Sequence, residues 1–158
     1  GMRSGELLAL TPADILSSKR IDINKNYAKI KGEELFLEPK TPKAKRCISI
    51  PDFLYDDIQE YISKLYGIGN GDRIFYFQKT ALEKEMKRVS ERIGLKPIRV
   101  HDLRHSHASM LIELGVTPLE IAERLGHESI KTTLDTYSHL YPDKDQKLAG
   151  RLNQFRKN

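Results

Sequence analysis

The stretch HDLRHSHASMLIELG, residues 101–115, sets His101, Arg104, His105 and His107 within seven positions. On a helix, side chains three and four apart are neighbours, so these imidazole and guanidinium groups are held together by rigid backbone. Such a group offers donors to an anion or ligands to a metal. All five histidines of the chain lie between His101 and His139. A zinc site fits poorly. His101 and His105 have the four-residue spacing of a zinc helix, but the glutamate that would activate water is missing beside the first, and Asp102 points off that face. No metal and no other cofactor is expected. Phosphate chemistry explains more: Arg104 presents a planar fork that matches two oxygens of a phosphodiester, and His101 can donate to a third or move a proton. A second group lies in LGHESIKTTLDTYSHLY, where His127 follows a Leu-Gly turn and Tyr137 comes ten residues later. A tyrosine hydroxyl is a poor nucleophile at its free pKa of about 10, and flanking cations correct that.

Those side chains need a scaffold. At 158 residues the chain is about one domain, and 39% apolar with 31% charged residues is a globular composition. The formal charge of +5, from 27 Lys and Arg against 22 Asp and Glu, favours a polyanionic partner. The single cysteine, Cys47, excludes an internal disulfide framework and a cysteine metal cluster, which suits a reducing compartment. No apolar run approaches a membrane span or a signal sequence, so a cytoplasmic location without membrane attachment is expected.

Residues 4–10 read as a short helix stopped by Thr11-Pro12. Between Ile15 and Ile50, the runs IDINKNYAKI, ELFLE and RCISI read as three short antiparallel strands. Phe53, Leu54, Ile58, Tyr61, Ile62 and Leu65 mark a helix ending at Gly67, and a strand-like IFYF follows. Residues 80–93 predict a further helix, ended by Gly94 and Pro97. Beyond Pro97 the chain divides at Gly115, Gly126 and Tyr141-Pro142 into four helices. In the first, Leu103, Met110, Leu111 and Leu114 have the spacing of a buried stripe; the last carries Leu148, Leu152 and Phe155. The expected fold is one α+β domain, mostly α-helical with a small three-stranded antiparallel sheet.

Arg3 in GMRSGELLAL, then HDLRH, then LGHESIKTTLDTYSH, in that order, resemble the catalytic domain of the tyrosine recombinases, the phage-integrase family. The resemblance covers essentially the whole chain and implies the fold of the DNA breaking-rejoining enzymes. Carried over by position, the family's two arginines fall on Arg3 and Arg104, its histidines on His101 and His127, and its nucleophile on Tyr137. The implied reaction is metal-independent: the Tyr137 oxygen attacks a DNA phosphorus, forms a 3′-phosphotyrosyl link and releases a 5′-hydroxyl, and a second strand's 5′-hydroxyl later rejoins the DNA. Two arginines and two imidazoles would supply the positive charge that a five-coordinate phosphorus needs.

The family's lysine general acid falls on Lys40, because EPKTPKAKRCISIP resembles K-T-x-x-S-x-R. Ala44 stands where a serine is common, and Lys43 and Lys45 are close rivals. Lys43, Lys45 and Arg46 also read as contacts to the DNA backbone. Glu6 is expected to pair with an active-site cation, Asp102 to do similar supporting work, and His105 to support packing or orientation. Tyr141 is the next candidate nucleophile. The resemblance implies double-stranded DNA as partner and a homotetramer on DNA for the full-length protein, with this chain alone a monomer. The abrupt start, with Leu7, Leu8 and Leu10 already core-like, reads as residues 1–158 of a catalytic domain lacking its first segment and the N-terminal core-binding and arm-binding domains. Weak DNA binding and poor recombination by this chain alone would follow. Two readings compete: a non-catalytic DNA-binding module that makes phosphate contacts only, and a type IB topoisomerase-like relaxation of DNA. The first leaves the spacing of Arg104, His127 and Tyr137 unexplained, and the LGHES motif resembles integrases more than topoisomerases.

Overall fold

The computed structural model describes residues 1–39, 41–141, 149 and 152. Arg3 leads directly into α1 (Ser4–Leu8), where the Glu6 carboxylate accepts from the Arg3 backbone N–H at 2.9 Å and fixes the first turn. The helix stops short of the expected Leu10, because Leu8, Ala9 and Leu10 turn into the core and the Leu10 carbonyl accepts from Ile74 N–H at 2.8 Å. A 3₁₀ turn at Pro12–Asp14 follows, with the buried Asp14 carboxylate capping it through the Thr11 N–H and hydroxyl, both at 2.8 Å.

Among the described residues, five short strands then build two sheets: β1 (Ile15–Leu16), β2 (Arg20–Ile23), β3 (Asn26–Ile30), β4 (Glu33–Leu37) and β5 (Arg46–Ser49). The three-stranded antiparallel sheet has the order β1-β2-β5, pairing Ile15 with Ile21 and Ile21 with Ile48. The hairpin β3-β4 is separate, pairs Tyr27 with Phe36, and turns through Lys31 and Gly32 at φ +51° and +92°. The expected single sheet is therefore redistributed. The run IDINKNYAKI is cut at Asn24-Lys25, whose side chains both reach the Asp14 carboxylate, at 3.2 and 2.6 Å, and carry the chain out of the first ladder.

Ile15, Ile21, Ile23 and Ile50 pack with Leu10 and Ile74 into one core, covered by Tyr55, Ile58 and Ile62 of α2 (Asp52–Ser63). IFYF is not a strand. Ile74 is buried, but Phe75 lies 5.7 Å, centroid to centroid, from both Tyr61 and Phe77, so this segment is held by side-chain packing rather than by a ladder. Next come α3 (Lys79–Arg92), α4 (Asp102–Glu113), α5 (Pro118–Leu125) and α6 (Ile130–Tyr137). Thr117 and Glu120 form a capping box at the start of α5, and Gly126 ends it in the left-handed region.

Ala108, Ile112, Ile121, Leu125 and Tyr137 from α4, α5 and α6 form a second core. The face of α4 that it uses corrects the expected stripe. Leu103, Met110 and Leu114 are 48%, 48% and 71% exposed, and only Leu111 of the four packs on this core. Arg104, Ala108 and Ile112 are buried instead, since Ala108 lets neighbouring chain approach closely and the guanidinium finds carbonyl partners inside. Of the expected last helix, Ala149 and Leu152 are helical and exposed, while Leu148 and Phe155 lie outside the described residues. No helix among the described residues is long and apolar enough to cross a membrane.

Candidate active site

Arg104 sits in the first turn of α4 and is 5% exposed. Its Nη1 donates to the Gly1 carbonyl at 2.7 Å and its Nη2 to the Leu125 carbonyl at 2.8 Å. Leu125 ends α5, so this guanidinium satisfies a carbonyl that the helix itself leaves open, at the pole that favours a cation. Burial, with repulsion from Arg3, lowers the Arg104 pKa to about 10, which still leaves it charged at neutral pH.

The N-terminal strand-and-helix half supplies the next layer. Arg3 is bound through Nη1 to Glu6 Oε1 at 2.8 Å, and its Nη2 lies 3.4 Å from the Gly126 carbonyl, while 42% of its side chain stays open to solvent. The buried Glu6 also accepts from Arg46 Nη1 at 3.1 Å and Nη2 at 2.9 Å. Burial alone would push the Glu6 carboxyl up, but hydrogen bonds from Arg46 and Arg3 outweigh it and hold the group below the usual carboxylate range. Arg46 was expected to touch DNA. Its side chain is 7% exposed, and its Nε and Nη1 donate to the Arg124 and Ala44 carbonyls at 2.9 and 3.0 Å, so it clamps β5 to α1 and to the end of α5. Only glycine fits at position 126 between these parts: φ is +69°, and a Cβ would lie 2.8 Å from Arg46 Nη1 and 3.0 Å from the Lys43 carbonyl.

His127 follows that turn, its N–H bonded to the Ala122 carbonyl at 2.9 Å and its Nδ1 2.8 Å from Thr133 Oγ1. Burial, reinforced by the charges of Arg104, Arg3 and Arg46, lowers its pKa to about 4. Tyr137 ends α6 almost buried, with its hydroxyl 2.6 Å from His105 Nδ1. Burial raises the Tyr137 pKa and Arg104 partly offsets this. His101 lies exposed at the start of α4, edge-on to His105 with centroids 4.9 Å apart; burial of part of its ring, with the His105 and Arg104 charges, lowers its pKa.

The structure thus brings Arg3, Glu6, Arg104, His105, His127 and Tyr137 into one region, with His101 at its rim. Asp102 is not paired with a cation of that group: it binds Arg99 at 2.8 Å, which holds its carboxyl down at about 2. Lys43 Nζ donates to the Glu128 carbonyl at 2.9 Å, and Lys45 pairs with Glu38 at 3.3 Å. Lys40 lies outside the described residues. The Tyr141 hydroxyl lies 3.5 Å from the Val116 carbonyl, against the second core. Sequence reasoning missed the clamp made by Arg46 and the contact of Thr133 with His127. A histidine six residues before a threonine was the available signal for the latter, but nothing in that spacing marked the hydroxyl as buried.

Chemically, three guanidinium groups act on a single buried carboxylate, and the surplus positive charge attracts an anion. Beside it stands an uncharged hydroxyl already hydrogen-bonded to an imidazole. Among the described residues no three His, Cys, Asp or Glu side chains converge as metal ligands.

Residues 1–144 match a family model described as the phage integrase family. The ICEBs1 integrase of Bacillus subtilis (strain 168) is 36% identical over 169 residues, covering 98% of this chain and 46% of that protein. The integrase of Staphylococcus phage L54a is 30% identical over 173 residues, covering 98% of this chain and 49% of that protein. The chain therefore spans about half the length of these curated relatives. Among solved structures, the Tn1549 transposon integrase in complex with circular intermediate DNA matches with a TM-score of 0.79 at 22% identity, over 95% of this chain and 55% of that one. The XerA recombinase matches with a TM-score of 0.66 at 21% identity, over 98% of this chain and 52% of that one.

Proposed function

Since this chain belongs to the phage integrase family and has the fold of a tyrosine recombinase catalytic domain, we propose that it is the catalytic part of a site-specific DNA recombinase. The observation that carries the reading is the Tyr137 hydroxyl, 2.6 Å from an imidazole whose neighbour in the chain is Arg104. Tyr137 is the nucleophile: its oxygen bonds to a DNA phosphorus as the bond from phosphorus to the 5′-oxygen breaks, leaving a 3′-phosphotyrosyl link and a 5′-hydroxyl. One phosphodiester is exchanged for another, so no external energy source is required.

His105, whose Nδ1 lies 2.6 Å from the Tyr137 hydroxyl, takes the Tyr137 proton in this reading, a more direct part than the support for packing or orientation expected from its position. Arg3, Arg104 and His127 donate to the non-bridging oxygens as charge builds on the phosphorus. A guanidinium carries five N–H donors, so Arg104 keeps its two carbonyl bonds and still has donors for substrate. The leaving 5′-oxygen takes its proton from a lysine between β4 and β5 in the sequence, Lys40 by motif with Lys43 and Lys45 as rivals. His101, at the rim, is a further donor to the phosphate.

The partner is double-stranded DNA, favoured by the net charge of +5. Exchange between two duplexes involves four cut strands and so four nucleophiles, which supports a homotetramer of the full-length protein on DNA. This chain alone is expected to bind DNA weakly. The test uses the full-length protein and a nicked duplex bearing the junction of its own mobile element, where the cut fragment diffuses away and traps the intermediate. The parent protein yields a covalent protein–DNA band; Tyr137→Phe binds the duplex and yields none. Equal trapping by Tyr137→Phe overturns the assignment of the nucleophile.

A further inference from the structure

We propose that Thr133 is a positioning residue: its buried hydroxyl donates to His127 Nδ1 and selects the imidazole tautomer that carries its proton on Nε2, the form able to donate to a phosphate oxygen. The inference rests on the recombinase reading for its purpose, but its geometry stands without it. Thr133 lies in the first half of α6, is 0% exposed, and has Oγ1 2.8 Å from His127 Nδ1. A helical threonine can spend its proton on the carbonyl four residues back. Thr136, one residue before Tyr137, does this, donating to the Thr132 carbonyl at 2.8 Å. Thr133 turns its hydroxyl to the imidazole instead.

The direction of that bond follows from what the hydroxyl needs. A hydroxyl has one proton to give, and leaving it without an acceptor inside a protein is costly. Among the described residues, the Thr133 hydroxyl finds its partner in His127 Nδ1, so we take Nδ1 to accept. His127 is crowded by Arg104, Arg3 and Arg46 and stays uncharged at neutral pH, so its ring has a single proton to place. The bond at one ring nitrogen decides which nitrogen carries it. With Nδ1 accepting, the proton resides on Nε2. The threonine thus does for the histidine what a carboxylate often does elsewhere, with the opposite polarity and without adding a negative charge beside a phosphate site.

The first measurement needs no DNA: nitrogen-15 NMR of the His127 ring in the folded chain at pH 7. The expected spectrum shows Nε2 as the protonated nitrogen and Nδ1 as the unprotonated one. Thr133→Val removes the hydroxyl at nearly constant shape, and both signals should move toward averaged values; Thr133→Ser should restore the parent pattern. In the trapping assay with full-length protein, Thr133→Val should slow covalent capture about tenfold, the worth of one hydrogen bond, at unchanged duplex affinity, with Ser rescuing the rate. Protonation of Nδ1 in the parent chain, or a valine variant with both signals unmoved, overturns the proposal. The parent spectrum decides even if the valine variant fails to fold. The expected spectra with no covalent capture by any variant would leave the tautomer assignment standing and remove the recombinase reading instead.

Discussion

One face of α4 turns Leu103, Met110 and Leu114 to solvent, while the opposite face buries Arg104 with Ala108 and Ile112. With apolar residues on both faces and an arginine inside, α4 lacks the ordinary amphipathic division. The difference shows what governs burial here. Arg104 is admitted to the interior because the Gly1 and Leu125 carbonyls meet its donors, and because Ala108, one turn on, is small enough for close packing. The packed contacts and the proposed chemistry both reside on the inner face, and substitutions on the two faces should differ accordingly.

The largest contrast should appear in activity. Arg104→Ala removes a donor proposed to hold the phosphate and should lower single-turnover covalent trapping by on the order of a hundredfold to a thousandfold. Leu103→Ala, one residue away but outward, should leave trapping unchanged; comparable losses in the two variants would mean that the faces are not functionally distinct. Next in size is the clamp behind the inner face. Glu6→Gln leaves the Arg46 guanidinium buried without its countercharge, and urea denaturation should show a loss of about 3–5 kcal/mol. Met110→Ser on the outer face should stay within about 0.5 kcal/mol of the parent.

A smaller effect is expected at the hinge between the faces' partners. Gly126→Ala forces a side chain into the left-handed region, costing about 1–2 kcal/mol, and presses on Arg46 Nη1. Its mark is that urea stability and covalent trapping should fall together, because the same turn carries His127. A further effect is on pH dependence. Burial, with the positive charges around them, brings both His107 and His127 down to about 4, whereas unfolded imidazoles bind protons near pH 6.5. Between those values the unfolded chain holds more protons than the folded one, so thermal stability should fall as the pH drops from about 6.5 toward 4. His107→Gln should flatten part of that slope; a melting temperature independent of pH over the window would contradict the neutral assignment.

Where a single regular pattern governed a segment, the fold could be read from the residues. The helix α3 falls within one residue of its expected limits, because apolar spacing and the stop at Gly94 agree, whereas α2 begins as expected but ends at Ser63, short of the Gly67 stop. The α+β class was likewise readable. The strands were harder: the split of IDINKNYAKI depends on Asp14, ten or eleven residues away, drawing Asn24 and Lys25 aside. In α4 the apolar spacing was real but faced solvent, since no pattern of hydrophobicity announces that an arginine will be satisfied by carbonyls inside. That Arg3, Arg104, His127 and Tyr137 would lie near one another was expected from separated motifs, and the structure brings them into one region. The inward turn of Arg46 was not expected, because a basic residue after a lysine-rich turn looks like surface until Glu6 and the end of α5 are placed beside it.

The central claim is that the phenol at position 137, and no other side chain, forms the bond to DNA. Trapping the intermediate with full-length protein, digesting both partners, and sequencing the modified peptide by tandem mass spectrometry tests it directly. The account predicts a nucleotide remnant on Tyr137. A remnant on Tyr141, or on any other residue, would contradict it.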